Sequence, residues 1–232
     1  MNTPAITRRH ATRLRQIHRS SGWPCRDMVE VELQVAGLII AVPDSFGRET
    51  LQLTPAGLVA LAEAHCSNKA SRKVHDGLVE RVGAMVLREG RVVWTGVPLR
   101  AQVNGEWVQA IPDVFSVRNT TVEAYLEPVV HEIKVSRADL LGDIKKSEKR
   151  AAYLAMASQV YYVLGVDGRG RPIGIADDVP PECGVMLVTA EGLELARPAP
   201  KQPFNGFRFD IWMALAKAVP MRMNEEPDQL QL

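Results

Sequence analysis

Three side chains, Asp113, Glu132 and Lys134, combine two carboxylates and an ammonium group at a spacing that can bring them together. Alternate residues of a β-strand face the same side, so Glu132 and Lys134 project together from a strand predicted over residues 128–135. Asp113 belongs to a strand predicted over residues 111–118 and reaches the same point if the two strands are neighbours. Two carboxylates make an oxygen site suited to Mg²⁺. The pattern therefore predicts a metal site with an adjacent lysine.

The chemistry expected of this cluster is metal-assisted hydrolysis with Mg²⁺ or Mn²⁺. The metal polarises the scissile phosphate and lowers the pKa of a bound water, while Lys134 orients that water or neutralises developing charge on the phosphorane. Charged residues at a strand end are usually just solvated. Here, however, Val129, Val130 and Ile133 make the strand read as buried, and buried charges are costly without a partner or an ion.

A longer stretch carries a family resemblance. Residues 131–140 read HEIKVSRADL and are followed by Asp143, Lys146 and Tyr153. This resembles the MmcB-like DNA-repair endonucleases of the PD-(D/E)xK superfamily, which have a V-E-V-K-S-S-x-x-D-F segment and then an Asp, a Lys and a Tyr along the next helix. The resemblance covers residues 68–197. Val135 departs from it, since serine is usual there.

The resemblance implies an α/β (α+β) fold with a restriction-endonuclease-like αβββαβ core and extra strands. It implies a metal-dependent DNA endonuclease in DNA repair or processing. Asp113 and Glu132 would be metal ligands together with the backbone carbonyl of Ile133. Ser147 is a second departure, because an aromatic residue is expected just after the helix lysine.

Side chains after the Glu132 strand are candidate DNA contacts. Ser136 and Arg137 lie in the strand-to-helix turn, where hydroxyl, guanidinium and backbone N–H groups can hold a phosphate. At about 100° per residue, a helix predicted over residues 139–158 places five side chains in one stripe. A solvated helix face is the alternative. The stripe consists of Asp139, Asp143, Lys146, Arg150 and Tyr153.

The helix predicted over residues 72–89 offers further acids. Asp76 and Glu80 are one turn apart, on the side opposite Val82. Either could add a carboxylate to the metal site, as the first core helix often does in this superfamily, or both could face water. His75 flanks the apolar face and is more typical of a core histidine than of a metal ligand.

The N-terminal segment predicts a winged-helix-like DNA-binding domain. Residues 1–26 contain six arginines and no acid, and the pattern reads helix, helix, hairpin, helix. Gly37 is a natural helix C-cap, and a Leu-Thr-Pro-Ala-Gly step starts at Leu53. Only 16 residues separate Ser20 from Gly37, which is tight for a helix-turn-helix. A docking module or a small helical cap on the next domain is the alternative. The assigned DNA-binding residues are Arg8, Arg9, Arg13, Arg15 and Arg19.

Domain boundaries follow from polar joints. The third helix is predicted to end near residue 65, before a polar joint at residues 67–71. This gives a winged-helix-like domain over 1–66, a PD-(D/E)xK nuclease-like domain over 67–200, and a tail over 201–232 with a helix at about 209–219. Length permits this, since 232 residues suffice for one large or two small domains.

Composition limits partners and location. The three cysteines are far apart and form no C-x-x-C pair, which indicates neither a zinc site nor a disulfide framework and favours a reducing cytoplasm. No signal sequence or bilayer-spanning run is evident. We therefore expect DNA as the partner, no membrane, and a nucleoid-associated location. A homodimer is left open.

Two other functions compete with the nuclease. One is a DNA-binding or regulatory protein built on a catalytically inactive nuclease scaffold. The other is a hydrolase of RNA or of small molecules, because fold alone does not decide the substrate. The intact Asp113, Glu132 and Lys134 favour an enzyme, since an inactive scaffold has no need to retain all three.

Overall fold

A computed structural model describes residues 6–20 and 22–222. Its contacts divide the chain into two compact units, Met1–Arg72 and Lys73–Leu232, and each is described by itself. The predicted start of the first helix at residue 5, and the end of the predicted tail, residues 223–232, lie outside the described residues. No described helix has both the length and the apolar character needed to cross a lipid bilayer.

The first unit has the predicted order of helix, helix, hairpin and helix. Gly37 ends the second helix at a positive φ of 68°, and the Thr54 hydroxyl caps the third by accepting from the Gly57 N–H at 3.0 Å. Its core joins both helices to the hairpin, chiefly through Leu14, Leu33 and Leu51. The elements are α1 (Arg8–Arg19), α2 (Met28–Val35), β1 (Ile39–Pro43), β2 (Glu49–Leu53) and the start of α3 (Pro55–Arg88).

Helix α3 is longer than predicted. It runs without interruption from Pro55 to Arg88, so the prediction that a helix ends near residue 65 is wrong, and the polar joint at 67–71 is helical. The joint contains neither proline nor a glycine cap, and exposed polar side chains are compatible with a solvated helix. The division between the units falls after Arg72, inside this helix.

The second unit is built on a mixed sheet of six strands in the order β10-β9-β8-β7-β6-β3. Strands β3, β6 and β7 are antiparallel neighbours, β7, β8 and β9 are parallel, and β10 is antiparallel to β9. All six residues of β7 are buried, which confirms its predicted central position. The strands are β3 (Arg91–Thr95), β4 (Leu99–Val103), β5 (Glu106–Ala110), β6 (Val114–Arg118), β7 (Val129–Lys134), β8 (Gln159–Leu164), β9 (Gly184–Val188) and β10 (Leu193–Arg197).

A hairpin is inserted between β3 and β6. Strands β4 and β5 form their own two-stranded sheet, joined by Asn104 and Gly105, an Asn-Gly pair whose sequence predicts a hairpin over residues 102–110. Both have positive φ, 50° and 87°, as a two-residue type I′ turn requires. Without this hairpin, the unit runs helix, three strands, helix, strand, and then the extra strands.

The helical segment after β7 is broken. It consists of α4 (Arg137–Ile144) and α5 (Ser147–Met156) rather than one helix, and Lys146 at the junction has a non-helical ψ of 73°. Positions on opposite sides of the break therefore do not share the stripe that a single helix would give them.

The segment predicted as a tail contains a helix that packs on the core of the second unit. Helix α6 (Phe209–Lys217) places Ile211 and Leu215 in the main hydrophobic core, and Phe204 and Phe207 pack against that core. Burial of these apolar side chains stabilises the attachment of residues 204–217 to the unit.

A buried histidine lies on the face of β7 opposite Glu132. The His131 ring stacks on Tyr161 with centroids 5.5 Å apart, and its Nδ1 has no hydrogen-bond partner among the described residues. Burial, with a smaller contribution from the Arg91 charge, lowers the pKa of His131 to about 4. The folded protein therefore holds this imidazole neutral in mildly acidic solution.

This histidine predicts acid sensitivity. In the unfolded chain this histidine takes a proton near its usual pKa of 6.5. The contribution of His131 to the free energy of unfolding is therefore fully present above pH 6.5 and is lost as the pH drops towards 4. His131→Phe keeps a ring to stack on Tyr161 but cannot titrate. Between pH 6.5 and pH 4, we expect the free energy of unfolding of the wild type to fall by about 3 kcal/mol more than that of His131→Phe. Urea unfolding of both proteins across this range measures the difference. Parallel pH profiles would show that His131 does not titrate as described.

Candidate functional site

Asp113 lies immediately before β6 and contacts the neighbouring strand β7. Its Oδ2 accepts a hydrogen bond from the Ile133 backbone N–H at 2.7 Å. The antiparallel register pairs Val114 with His131, so Asp113 lies beside Glu132. The structure thus brings Asp113 to the strand that carries the other two predicted residues.

Glu132 and Lys134 project to the same side of β7, as the strand alternation predicts. Lys134 Nζ donates to Glu132 Oε1 at 2.7 Å, and the two residues are only 2% and 4% exposed. Burial acts to lower the pKa of Lys134, but the charges of Glu132 and Asp143 outweigh it and the net shift is upward. The lysine is therefore held as a cation.

A second lysine joins this pair and was missed by the sequence reasoning. Lys149 Nζ donates to the same Glu132 Oε1 at 2.6 Å and to Asp143 Oδ1 at 3.1 Å. Lys134 Nζ also lies 3.5 Å from Asp143 Oδ1. Burial acts to raise the pKa of Asp143, but the two lysine charges outweigh it and lower the pKa. The carboxylates of Glu132 and Asp143 and the ammonium groups of Lys134 and Lys149 thus form one compact cluster, called the Glu132 cluster below.

Tyr153 completes the environment of Glu132. Its hydroxyl lies 2.7 Å from Glu132 Oε2 and 3.0 Å from the Ile111 carbonyl oxygen, and it can donate its proton to one of them at a time. Burial and the Glu132 charge raise the pKa of Tyr153. Because its side chain is 0% exposed, the prediction that Tyr153 contacts DNA is wrong: it orients Glu132 instead. Lys149 lies one helical turn before Tyr153, and this spacing was the sequence signal that could have identified Lys149 as a neighbour of the site.

His75 on α3 approaches Asp113 from the other side. Its Nε2 lies 3.4 Å from Asp113 Oδ1, and its Nδ1 lies 3.2 Å from Asp76 Oδ1. The hydrogen bond to Asp113 raises the pKa of His75 to about 9, against the opposing effect of burial. Asp76 and Glu80, the predicted additional acids, are both exposed, and Asp76 meets the site through His75. The histidine thus bridges two carboxylates rather than filling a core position.

Two predicted phosphate contacts near α4 have structural partners. The Ser136 hydroxyl caps α4 by accepting from the Asp139 N–H at 3.2 Å. Arg137 forms a two-point ion pair with Asp178, with 2.7 Å between Arg137 Nη2 and Asp178 Oδ1, and this pair lowers the pKa of Asp178 to about 2. Both side chains therefore already have partners within the protein, Ser136 in the first turn of α4 and Arg137 at Asp178.

The two predicted contacts around α5 differ from each other. Arg150 donates to Glu182 Oε1 and to the Ile144 carbonyl oxygen, both at 2.8 Å, so its guanidinium joins α5 to neighbouring segments. Lys146 is exposed at the junction of α4 and α5. Of these two, the exposed lysine is the better placed to contact DNA.

The predicted arginine face lies on α1, with one exception. Arg8, Arg9 and Arg19 are exposed and Arg15 is half-buried. Arg8, Arg15 and Arg19 are spaced by seven and four residues, so they share one side of the helix. Arg13 does not belong to this face, because it pairs with Asp27 and lies 3.7 Å from the buried Glu30.

Helix α2, the second helix of the first unit, has a different character. It contains two glutamates and no lysine or arginine, and its exposed side carries Met28, Val31 and Val35. Acidic and apolar side chains do not suit a helix that enters a DNA groove. Phosphate contacts by this unit are therefore expected from α1.

If the α1 arginines contact phosphates, removing them should weaken the binding of DNA. We expect the triple variant Arg8→Gln, Arg15→Gln, Arg19→Gln to bind duplex DNA more weakly and with a shallower salt dependence. Each lost phosphate contact should reduce the slope of log K against log salt by about 0.9. Titrations at several salt concentrations measure this slope, with Arg169→Gln, which removes one exposed arginine from the second unit, as the control for loss of a surface charge outside α1. A slope equal to that of the wild type would make α1 a structural helix only.

The donor atoms at the cluster fit a hard divalent cation. Asp113 and Glu132 offer carboxylate oxygens from adjacent strands, and the Asp113 side chain is 20% exposed. Mg²⁺ is commonly held by one or two carboxylates, with water and substrate oxygens completing its shell. Across residues 6–20 and 22–222, no three or more His, Cys, Asp or Glu side chains are grouped to hold a metal. The carboxylate oxygens of Asp113 and Glu132 are therefore the candidate ligands for a cation at this place.

Comparisons with known proteins add little to this geometry. No protein-family model and no curated protein matches the chain. Among solved structures, it is similar to the SPO1766 protein of unknown function from Silicibacter pomeroyi, at 22% identity over 60% of this chain and 78% of that chain, with a TM-score of 0.39. A likeness at this level carries no argument about fold family or function.

Proposed function

We propose that the second unit is a metal-dependent DNA endonuclease of the PD-(D/E)xK, MmcB-like kind, with a restriction-endonuclease-like αβββαβ core. The observation that carries the proposal is the hydrogen bond from the Ile133 backbone N–H to Asp113 Oδ2, because Ile133 lies between Glu132 and Lys134 on β7. The element order of the second unit agrees with such a core, and DNA repair or processing at the nucleoid is the proposed role.

Each residue of the cluster has a distinct part in this proposal. Asp113 and Glu132 would hold Mg²⁺ or Mn²⁺, which supplies a Lewis acid and an activated water when bound. Tyr153 fixes the Glu132 carboxylate through its hydroxyl. Lys134 places a positive charge where negative charge develops on the phosphate. Lys149 adds a second cation and is more exposed than Lys134, with 26% of its side chain accessible.

The first unit is proposed as a winged-helix-like module that binds DNA through α1. The exposed arginines on α1 support this, because they present cations on one helix side. The acidic and apolar α2 favours docking to another protein as the second possibility for this unit.

A second candidate function is a DNA-binding or regulatory protein on an inactive scaffold. The observation in its favour is that Glu132 Oε1 accepts from two ammonium groups. The buried carboxylate is therefore charge-compensated by the chain itself, and a metal is not required for it to be stable inside the protein.

A cleavage screen separates these functions. The full chain is incubated with single-stranded, duplex, nicked and branched DNA and with RNA, in Mg²⁺, in Mn²⁺ or in excess chelator. The nuclease proposal predicts cleavage of at least one of the DNA substrates with metal and none with chelator. Binding without cleavage in every condition would favour the inactive scaffold, and cleavage of RNA alone would replace the proposed substrate.

A further inference from the structure

A second candidate site lies between the β4–β5 hairpin and the start of α6. It is an open cleft of about 510 Å³ lined by Arg100, Trp107, Arg208, Phe209 and Asp210. All five residues belong to the second unit, and none is part of the Glu132 cluster. The cleft therefore has chemistry of its own, which the proposed cleavage does not use.

The hairpin presents an unusual exposed face to this cleft. The register pairs Arg100 with Gln109 and Gln102 with Trp107, and alternation along the strands puts these four side chains on one side. All four are exposed, whereas Leu99, Ala101 and Ala110 on the other side are buried. The exposed face thus consists of arginine, tryptophan and glutamine, with no aliphatic and no acidic side chain among the four.

Aromatic rings and guanidinium groups meet in the cleft. Arg208 Cζ lies 4.6 Å and Arg100 Cζ lies 5.5 Å from the centroid of the Trp107 ring, distances at which cations are attracted to an aromatic face. Trp107 is 46% exposed, and Phe209 beside it is 78% exposed. Arg208 Nε donates to Asp210 Oδ1 at 3.2 Å. This contact does not use Nη1 or Nη2 of Arg208.

We propose that this cleft binds a single-stranded segment of nucleic acid. An unpaired base stacks on Trp107 or Phe209, and Arg100 and Arg208 contact the adjoining phosphates. Aromatic platforms with neighbouring cations are the physical basis of sequence-tolerant single-strand binding, because every base has a π-face and every link a negative charge. A duplex keeps its bases stacked inside the helix and cannot offer them to Trp107.

The lining favours nucleic acid over a protein partner. No aliphatic side chain lines the cleft, whereas grooves that receive an amphipathic helix are hydrophobic. The two guanidinium groups outnumber the single carboxylate, which gives the cleft a net positive charge and complements a phosphate backbone.

The cleft is also close to the cluster along the chain. Trp107 on β5 precedes Asp113 by six residues, so their Cα atoms are at most about 20 Å apart even for fully extended backbone. If the proposed nuclease function holds, one bound strand can occupy both sites. Single-strand binding itself needs neither metal nor cleavage.

The test measures binding of a fluorescently labelled single strand of about 12 nucleotides, a length within the range of single-strand sites. The full chain is titrated in chelator, so that cleavage cannot interfere. We expect the wild type to bind and Trp107→Ala to bind roughly 5- to 100-fold more weakly. Trp107→Phe, which keeps a stacking ring, should recover most of the affinity. Arg100→Gln and Arg208→Gln should each lower the salt slope by about 0.7.

Two controls keep the result specific. Trp23→Ala removes an exposed tryptophan from the first unit, and Arg169→Gln removes an exposed arginine from the second; both should bind the single strand like the wild type. Circular dichroism verifies the folding of each variant. Wild-type affinity in Trp107→Ala, or no recovery in Trp107→Phe, would overturn the proposal. Binding to duplex DNA but not to the single strand would also overturn the proposal. In that case, metal-dependent cleavage of duplex DNA by the same preparation would show that the proposed nuclease function still holds.

Discussion

Replacing Glu132 with glutamine is expected to reduce DNA cleavage by at least about 100-fold. Glutamine has nearly the same shape but no charge, so it weakens the hold on a divalent cation. A bound metal contributes several kcal/mol to the stabilisation of a phosphoryl transition state, and each 1.4 kcal/mol or so is a factor of ten in rate. Initial cleavage rates of wild type and Glu132→Gln on the best substrate measure the effect.

Glu132→Gln also removes a charge from a buried group of ion pairs, so the folding of the variant has to be measured together with its cleavage rate. Lys134 and Lys149 both donate to Glu132 Oε1, and loss of that charge leaves them with Asp143 and, for Lys134, with Asp139 at 3.7 Å. Rates are therefore expressed per folded protein, with thermal unfolding recorded for each variant. Glu148→Gln, the same substitution at an exposed position of α5, is the matched control and should cleave like the wild type. Equal rates in folded Glu132→Gln and in wild type would remove Glu132 from the site.

Replacing Lys134 with methionine is expected to separate metal binding from cleavage. Lys134 does not ligate the metal, so its loss should leave metal affinity unchanged or raise it, because removing a nearby positive charge cannot weaken the attraction for a cation. Cleavage should fall by about 100-fold, the usual cost of losing a group that stabilises transition-state charge. Calorimetry with Mg²⁺ and cleavage assays on the same preparation give both quantities.

The surroundings of Lys134 make this contrast measurable. Lys149 Nζ also donates to Glu132 Oε1, at 2.6 Å, so we expect the buried carboxylate to keep a cationic partner and the site to stay folded in Lys134→Met. Lys145→Met, at an exposed position, is the control for the loss of one positive charge. A Lys134→Met protein that cleaves at the wild-type rate would end the role assigned to this lysine.

Much of the local structure could be predicted because short-range chemistry determines it. The apolar run around Ile133 identified β7 as the buried central strand. Asn104 and Gly105 identified the hairpin, because few other residues adopt positive φ at both turn positions. The strand period placed Glu132 and Lys134 on one side, and the structure joins them at 2.7 Å.

The errors arise where distant residues determine the outcome. The contacts of Lys149 with Glu132 and of His75 with Asp113 could not be predicted from periodicity, because these pairs are 17 and 38 positions apart in the chain. The break at Lys146 invalidated the single helical stripe, so Tyr153, predicted as a DNA contact, points into the protein core. Polar residues 67–71 indicated a linker, yet a solvated helix has the same composition. Periodicity alone does not contain these tertiary contacts.

If Asp113 and Glu132 form a divalent-cation site, calorimetric titration of the full chain with Mg²⁺ should detect it. The titration is done with and without a DNA oligonucleotide, on the wild type and on Asp113→Asn. We expect the cation to bind the wild type, more strongly with DNA because substrate oxygens complete the shell, and this binding to be lost in a folded Asp113→Asn protein. Absence of binding to the wild type in the presence of DNA, or unchanged binding to Asp113→Asn, would contradict it.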